Sequence, residues 1–439
     1  MKQKVAIVGG GITGSVACSR LSKCPDLQID LFDQGRRGVG GRTSSRSYDI
    51  QDDATIRFDH GCQFFRADTD RFKKLVDEWI ERGYVSEWNG NFKSSAKREH
   101  EFFGLPSTPP FYVANNDYGM QSLSKNILSD ASKSSEVQIH SGVRVAKLSR
   151  DTSTNKWILI GTNGEAAYHD TDEKLQKGKI TGTIGEETGY DAVILTDISS
   201  SFGGWHRASA GVPDSFATAV RNKVGARVPL FTAMIAFESE TSITFDAASF
   251  EHPVVWFAAK TSSKPGMKTD KECWTIVSTP SYACDKIEET PMQDPTTGEF
   301  IPQSPDYLTT VPGPDLLQAF DEIVCDTDGI LGNDALSNLP KHIFMDGQRW
   351  GSALPSHRNL RNESSTRKVL SGVSYDSGLH SLAPTRIEED SKSFLADDDL
   401  ALYQAGDMMS KYTPGLESAA LSALDAAEHL LIQLQLSSA

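Results

Sequence analysis

Val5-Ala6-Ile7-Val8-Gly9-Gly10-Gly11-Ile12-Thr13-Gly14 opens the stretch that decides the fold, and Leu27-Gln28-Ile29-Asp30-Leu31-Phe32-Asp33 closes it. A short apolar run, Val5 to Val8, ends in Gly9-x-Gly11-x-x-Gly14, and an amphipathic segment begins directly behind it. A second apolar run, Ile29 to Phe32, terminates in Asp33, nineteen residues past Gly14. Strand, glycine turn, helix, second strand and terminal acid together form a dinucleotide fingerprint. Gly9 permits the tight turn, Gly11 lets backbone N–H groups approach a pyrophosphate, and Gly14 lets the helix pack on the strand. The pyrophosphate then meets a helix N-terminus, where unsatisfied N–H groups and the dipole favour an anion. Asp33 is placed to accept from ribose hydroxyls.

The fingerprint does not separate NAD from FAD, which share the adenosine-diphosphate half. Behind the acid comes Arg36-Arg37-Gly38-Val39-Gly40-Gly41-Arg42. Gly40 and Gly41 allow close backbone approach, and Arg42 offers bidentate donors to phosphate. The same residues also read as a solvated hairpin, or, through Arg36 and Arg37, as a 2′-phosphate pocket for NADP.

Three further blocks extend the pattern. They are Phe58-Asp59-His60-Gly61-Cys62-Gln63-Phe64-Phe65, then Gln348-Arg349-Trp350-Gly351-Ser352-Ala353-Leu354-Pro355, and finally Leu402-Tyr403-Gln404-Ala405-Gly406-Asp407 with Gly415-Leu416-Glu417-Ser418-Ala419. In this order, and with the GVGGR turn, the chain resembles the flavin-containing amine oxidase superfamily, most of all its renalase-like branch. The likeness is concentrated in roughly the first 75 and last 40 residues, and the chain departs from the pattern at Cys62 and Phe64. Asp33 stands where most relatives carry Glu, and Ser422 where they usually carry Gly.

The resemblance implies an α/β fold with a discontinuous Rossmann-like FAD-binding domain (1–75, 135–200 and 400–439). A second, α+β substrate or lid domain (76–134 and 201–399) would be built on an antiparallel sheet. It implies non-covalent FAD, with Gly406 and Asp407 on the ribityl–pyrophosphate portion and the helix opening at Leu416 aimed at the ring. Val143 to Val145 would lay backbone on the adenine. The activity it implies is hydride transfer from a small reduced molecule to flavin N5, with O2 as acceptor and H2O2 as product. Dihydro-isomers of NAD(P)H are the candidate substrates. Amine oxidation, desaturation, or an NAD(P)-dependent dehydrogenase or nucleotide-binding protein are the alternatives.

The remaining sequence bounds these readings. At 439 residues the chain is long enough for two domains. A formal charge of −15 argues against a nucleic-acid partner, whose binding surface is basic. No apolar run approaches the ~20 residues a bilayer span requires. The first strand begins so early that no leader is expected, which points to the cytoplasm. Six scattered cysteines without CxxC spacing suggest free thiols rather than a disulfide framework or metal site. Past residue 200, Val228–Phe237, Val254–Lys260, Trp274–Ser278 and Ile343–Trp350 read as aromatic and β-branched strands of one antiparallel sheet lying over the cofactor. Val137–His140 and Gly142–Leu148 read as a strand pair, and Asp191–Thr196 as a buried parallel strand. A flavin carries its own chemistry, so no acid or base is demanded. His60 is the histidine to weigh, as a group bordering the ring or as a structural imidazole. Trp350 is the candidate cover for the substrate face, Trp256 reads first as core packing, and Lys260 as an exposed strand end.

Overall fold

The computed structural model describes residues 2–35, 37–95, 101–102, 105–106, 110–162, 182–202, 211–224, 227–291, 301, 303–355, 392–412 and 415–436. Its first sheet has six strands. In spatial order they are Val137–Ser141, Leu27–Asp33, Gln3–Val8, Ala192–Leu195, Leu402–Gln404 and Leu395–Asp397. The first five are parallel and the last is antiparallel. The two central strands carry runs such as Val5-Ala6-Ile7 and Ala192–Leu195, buried throughout, as a sheet covered on both faces requires. The fold is thus mixed α/β with a Rossmann-like parallel sheet, as the fingerprint predicts.

Three helices cover one face. The fingerprint helix Ile12–Leu21 packs on the C-terminal helix Leu416–Gln433 and on helix Gln121–Ala131. The C-terminal helix presents Ala420, Ala423, Ala426 and Ala427, all fully buried. Alanine gives it high helix propensity and lets the partner helix approach closely. The other face carries a three-stranded antiparallel sheet of Arg144–Asp151, Lys156–Thr162 and Gly182–Ile184. Trp157, Leu159 and Tyr190 seal it against Phe32, Val193 and Leu195.

The second large sheet runs in the order His342–Pro355, Arg227–Phe237, Cys273–Ser278, Val255–Lys260, Ala247–Ser249 and Phe92–Ser94. All four strands expected past residue 200 are here and antiparallel. Its far face is covered by helices Pro280–Glu289 and Pro312–Cys325, which bury Ala283, Leu316, Ala319 and Phe320. The start of the second helix is set by Pro312 at the first turn, where a missing N–H costs nothing.

Three local expectations are corrected. Val137–Ser141 and Arg144–Asp151 do not pair with each other, because the first joins the parallel sheet beside Leu27–Asp33. Helix Gln121–Ala131, placed by sequence with the lid, packs on the fingerprint helix. Leu395–Asp397, also assigned to the lid, is an edge strand of the first sheet.

Candidate functional site

A single continuous cavity of about 870 Å³ runs between the two large sheets. That volume lies toward the upper end of the range for small-molecule and cofactor sites. At one end it is lined by Gly9–Thr13, Asp33, Val143–Leu148, Thr196 and Asp197. Gly40, Gly41, Arg42, Gly406, Asp407 and Leu416 form its middle. The far end is walled by Gly61–Phe65, Trp256, Phe257, Val277 and Trp350.

The glycine turn has the geometry the fingerprint demands. Gly9 adopts φ +107°. A Cβ built on Gly14 would stand 1.9 Å from the Gly9 carbonyl oxygen, so helix and strand meet only because that atom is missing. Gly11 forms the N-cap of the fingerprint helix, and no side chain caps it. The helix N-terminus therefore faces the cavity, a ready site for an anion. Asp33 braces this turn as well as lining the cavity. Its Oδ2 accepts from the Gly10 N–H at 2.6 Å and its Oδ1 from the Gly35 N–H at 2.7 Å. Burial pushes its carboxyl up, and the two amides offset only part of that rise.

The second glycine turn meets the first through a parallel bridge between Gly11 and Gly40. Arg42 behind it is not a free phosphate donor. Its guanidinium forms a bidentate pair with Asp407, at 2.7 and 2.5 Å, and also donates to the Ala353 carbonyl at 3.0 Å. Its own carbonyl accepts from the Cys62 N–H at 2.8 Å. A Cβ on Gly61 would come within 2.1 Å of that carbonyl oxygen, which explains the glycine in the FDHG block. One arginine thus ties the second turn, the FDHG segment, the last strand of the antiparallel sheet and the C-terminal block together. Arg36 lies outside the described residues.

At the C-terminal block, Asp407 and Leu416 are nearly buried and line the cavity. Helix Leu416–Gln433 also starts without a side-chain cap, at Gly415. Ser422 faces neither solvent nor cavity: its Oγ accepts from the Gly406 N–H at 2.8 Å and donates to the Ser393 carbonyl at 2.7 Å. It anchors the Gly406 turn to the helix. Val143, Arg144 and Val145 lie along the cavity, and the Val143 N–H donates to the Asp33 carbonyl at 2.9 Å.

His60 and Trp350 separate. Trp350 lines the cavity, and its indole N–H donates to the His60 carbonyl at 3.0 Å. The His60 ring sits behind that wall, 5.4 Å from the Trp350 ring, and is not among the lining residues. Burial, with the Arg46 and Arg37 cations adding to it, pushes its imidazole down to about 3. It is a neutral ring buried beneath the cavity wall, unsuited to proton transfer at neutral pH. Trp256, which reads first as core packing, is 4% exposed and also lines the cavity. Lys260 does not reach it and pairs instead with Glu272 at 3.2 Å. Cys62 does line the cavity, and burial pushes its thiol up to about 12, so it is protonated. All six cysteines are free.

Sequence reading passed over Gln63, Thr196 and Arg227, all of which line the cavity. Gln63 was detectable as part of the FDHG block, whereas Arg227 carries no local motif. Among the described residues, no group of His, Cys, Asp and Glu is placed to hold a metal ion, and no helix is long and apolar enough to cross a membrane.

Residues 7–79 match the family of NAD(P)-binding Rossmann-like domains. Three solved structures are similar over nearly the whole chain. An oxidoreductase from Methanosarcina mazei superposes with a TM-score of 0.53 at 10% identity, covering 97% of this chain and 100% of that one. Reduced UDP-galactopyranose mutase gives 0.54 at 11%, covering 98% and 94%. A CLA-producing fatty acid isomerase from P. acnes gives 0.52 at 11%, covering 97% and 98%. The fold is shared. At these identities the likeness speaks for architecture alone.

Proposed function

We propose that this chain is an FAD-dependent oxidoreductase of the renalase-like kind, acting as an oxidase on a small reduced substrate. The observation that carries the reading is one cavity whose two ends differ in chemistry: an uncapped helix N-terminus and Asp33 at one end, aromatic side chains at the other. The residues present fit the group. Gly9, Gly11 and the N-terminus of helix Ile12–Leu21 would hold the pyrophosphate, Asp33 the adenosine ribose, and Val143–Val145 the adenine. Gly40, Gly41, Gly406 and the Arg42–Asp407 pair would border the ribityl chain, and the helix opening at Leu416 the ring. The cysteine in the cavity is a protonated thiol, which supports non-covalent binding.

FAD, when bound, supplies hydride acceptance at N5 and electron delivery to O2. The protein's own part is orientation and exclusion of water. Trp350, Trp256 and Phe257 would stack or edge against a flat substrate and keep the transfer region dry. Arg227 and Ser352, joined at 3.2 Å, add a polar edge to the cavity lining that suits dihydronicotinamide substrates. No side chain is required to move a proton, consistent with the neutral, buried His60.

The test is anaerobic titration of the flavin-loaded protein with dihydro-isomers of NAD(P)H, with NAD(P)H and with simple amines. Bleaching by the isomers, followed by H2O2 on admission of air, is the expected result. Bleaching by amines alone would move the activity to amine oxidation.

A further inference from the structure

We propose that Lys264 is a positioning residue for the aromatic end of the cavity: its buried ammonium holds Gln63 and Asp59, and through them the Gly61–Gln63 wall. The inference rests on the flavin reading above and assigns a role to a residue outside the cavity.

Lys264 follows the strand Val255–Lys260 of the antiparallel sheet, at the end of a short turn. Its side chain is 2% exposed and that of Asp59 is 1% exposed. The ammonium donates to Asp59 Oδ2 at 2.9 Å and to Gln63 Oε1 at 3.0 Å, and it lies 5.5 Å from the centre of the Trp88 ring. The carboxylate and amide oxygens and the ring face thus meet the needs of a buried cation. Asp59 is equally engaged: its Oδ1 accepts from the Ser45 hydroxyl at 2.6 Å and the Met120 N–H at 2.8 Å. The Gln63 amide nitrogen donates to the carbonyls of Asp59 and Gly61. Gly61, Cys62 and Gln63 line the cavity, while Lys264 and Asp59 stand behind them.

The network also reaches the glycine turn. The Gln121 N–H donates to the Ser45 hydroxyl at 3.2 Å, and the Gln121 side chain donates to the Val39 carbonyl at 2.7 Å. A buried ion pair is a poor source of stability, since well-packed apolar side chains of similar size do as well or better. What it supplies here is orientation. The amide of Gln63 has one arrangement that satisfies both the ammonium and the two carbonyls, and this fixes the wall.

The experiment measures binding of FAD and of ADP, which carries only the adenosine–pyrophosphate half, to the wild type, Lys264→Met and Lys264→Arg. Expected is an ADP affinity unchanged within about twofold in every variant. FAD affinity should fall about tenfold in Lys264→Met, as the Gly61–Gln63 wall loses its fixed arrangement, with a shifted visible flavin band and partial recovery in Lys264→Arg. If Lys264→Met does not fold, the double variant Lys264→Met/Asp59→Asn, which leaves no unpaired charge, carries the same expectation. FAD binding and spectrum equal to wild type, or equal weakening of ADP and FAD, would overturn the proposal alone. Wild-type protein that binds ADP but not FAD would overturn the flavin reading and the inference with it.

Discussion

The two ends of the cavity are built by different means. At the nucleotide end, Gly9, Gly10, Gly11 and Asp33 come from one strand–helix–strand unit, and backbone N–H groups and missing Cβ atoms make the surface. At the aromatic end, Gly61–Phe65, Trp256, Phe257, Val277 and Trp350 come from segments far apart in sequence, and side chains make the surface. Backbone sites are fixed by local conformation, so they tolerate little change at a few glycines. Side-chain sites depend on sheet register and on networks such as Lys264–Asp59–Gln63, which bring remote residues to one wall. The first kind suits a constant nucleotide, and the second a substrate that varies among proteins sharing a fold.

Four variants test this contrast. The largest effect is expected at Gly14, where an added Cβ meets a carbonyl that cannot move without breaking the turn. Gly14→Ala should cost about 3 kcal/mol or more, read as a lower urea midpoint together with loss of ADP binding. Retention of both would mean that the helix can shift, and that backbone does not set that end.

A smaller effect is expected where the two ends are joined. Arg42→Met leaves the buried Asp407 carboxylate with the Met408 N–H, at 2.9 Å, as its remaining hydrogen bond among the described residues, and should cost about 2–3 kcal/mol. Asp407→Asn leaves an arginine that is 37% exposed and open to water, so it should cost less. Equal costs in denaturant titrations would remove the asymmetry on which this account of the pair depends.

The smallest effect concerns His60 and depends on pH. Its folded value is depressed from 6.5 to about 3. Between those values the unfolded chain takes up a proton that the native ring resists, so stability falls as pH drops, by at most ~1.4 kcal/mol per pH unit. In urea titrations at about pH 7.5 and 5, His60→Asn should lose less stability than the wild type. Parallel losses in both proteins would show that the ring is not held neutral.

How much of this was legible follows the same division. The fingerprint unit, with Gly9, Gly11, Gly14 and Asp33, could be read because each residue acts on neighbours close in the chain. The four strands past residue 200 could be read from their aromatic and β-branched runs, but their order in the sheet could not. Arg42 shows the limit: its type suggested phosphate, while its partner Asp407 lies 365 residues away and no spacing announces it. Lys264 is a lysine in a polar loop, and only the fold reveals its burial. For His60 the sequence allows either a group bordering the ring or a structural imidazole, and the depth that puts it behind Trp350 comes from the packing of two sheets.

The measurement that bears most directly on the central claim is the visible absorbance spectrum of the purified protein, before and after acid or heat release. The account predicts two flavin bands that move to the supernatant as intact FAD. A colourless protein that cannot be loaded with FAD, yet binds NADP, would contradict it and return Asp33 and the arginine-rich turn to a nicotinamide site.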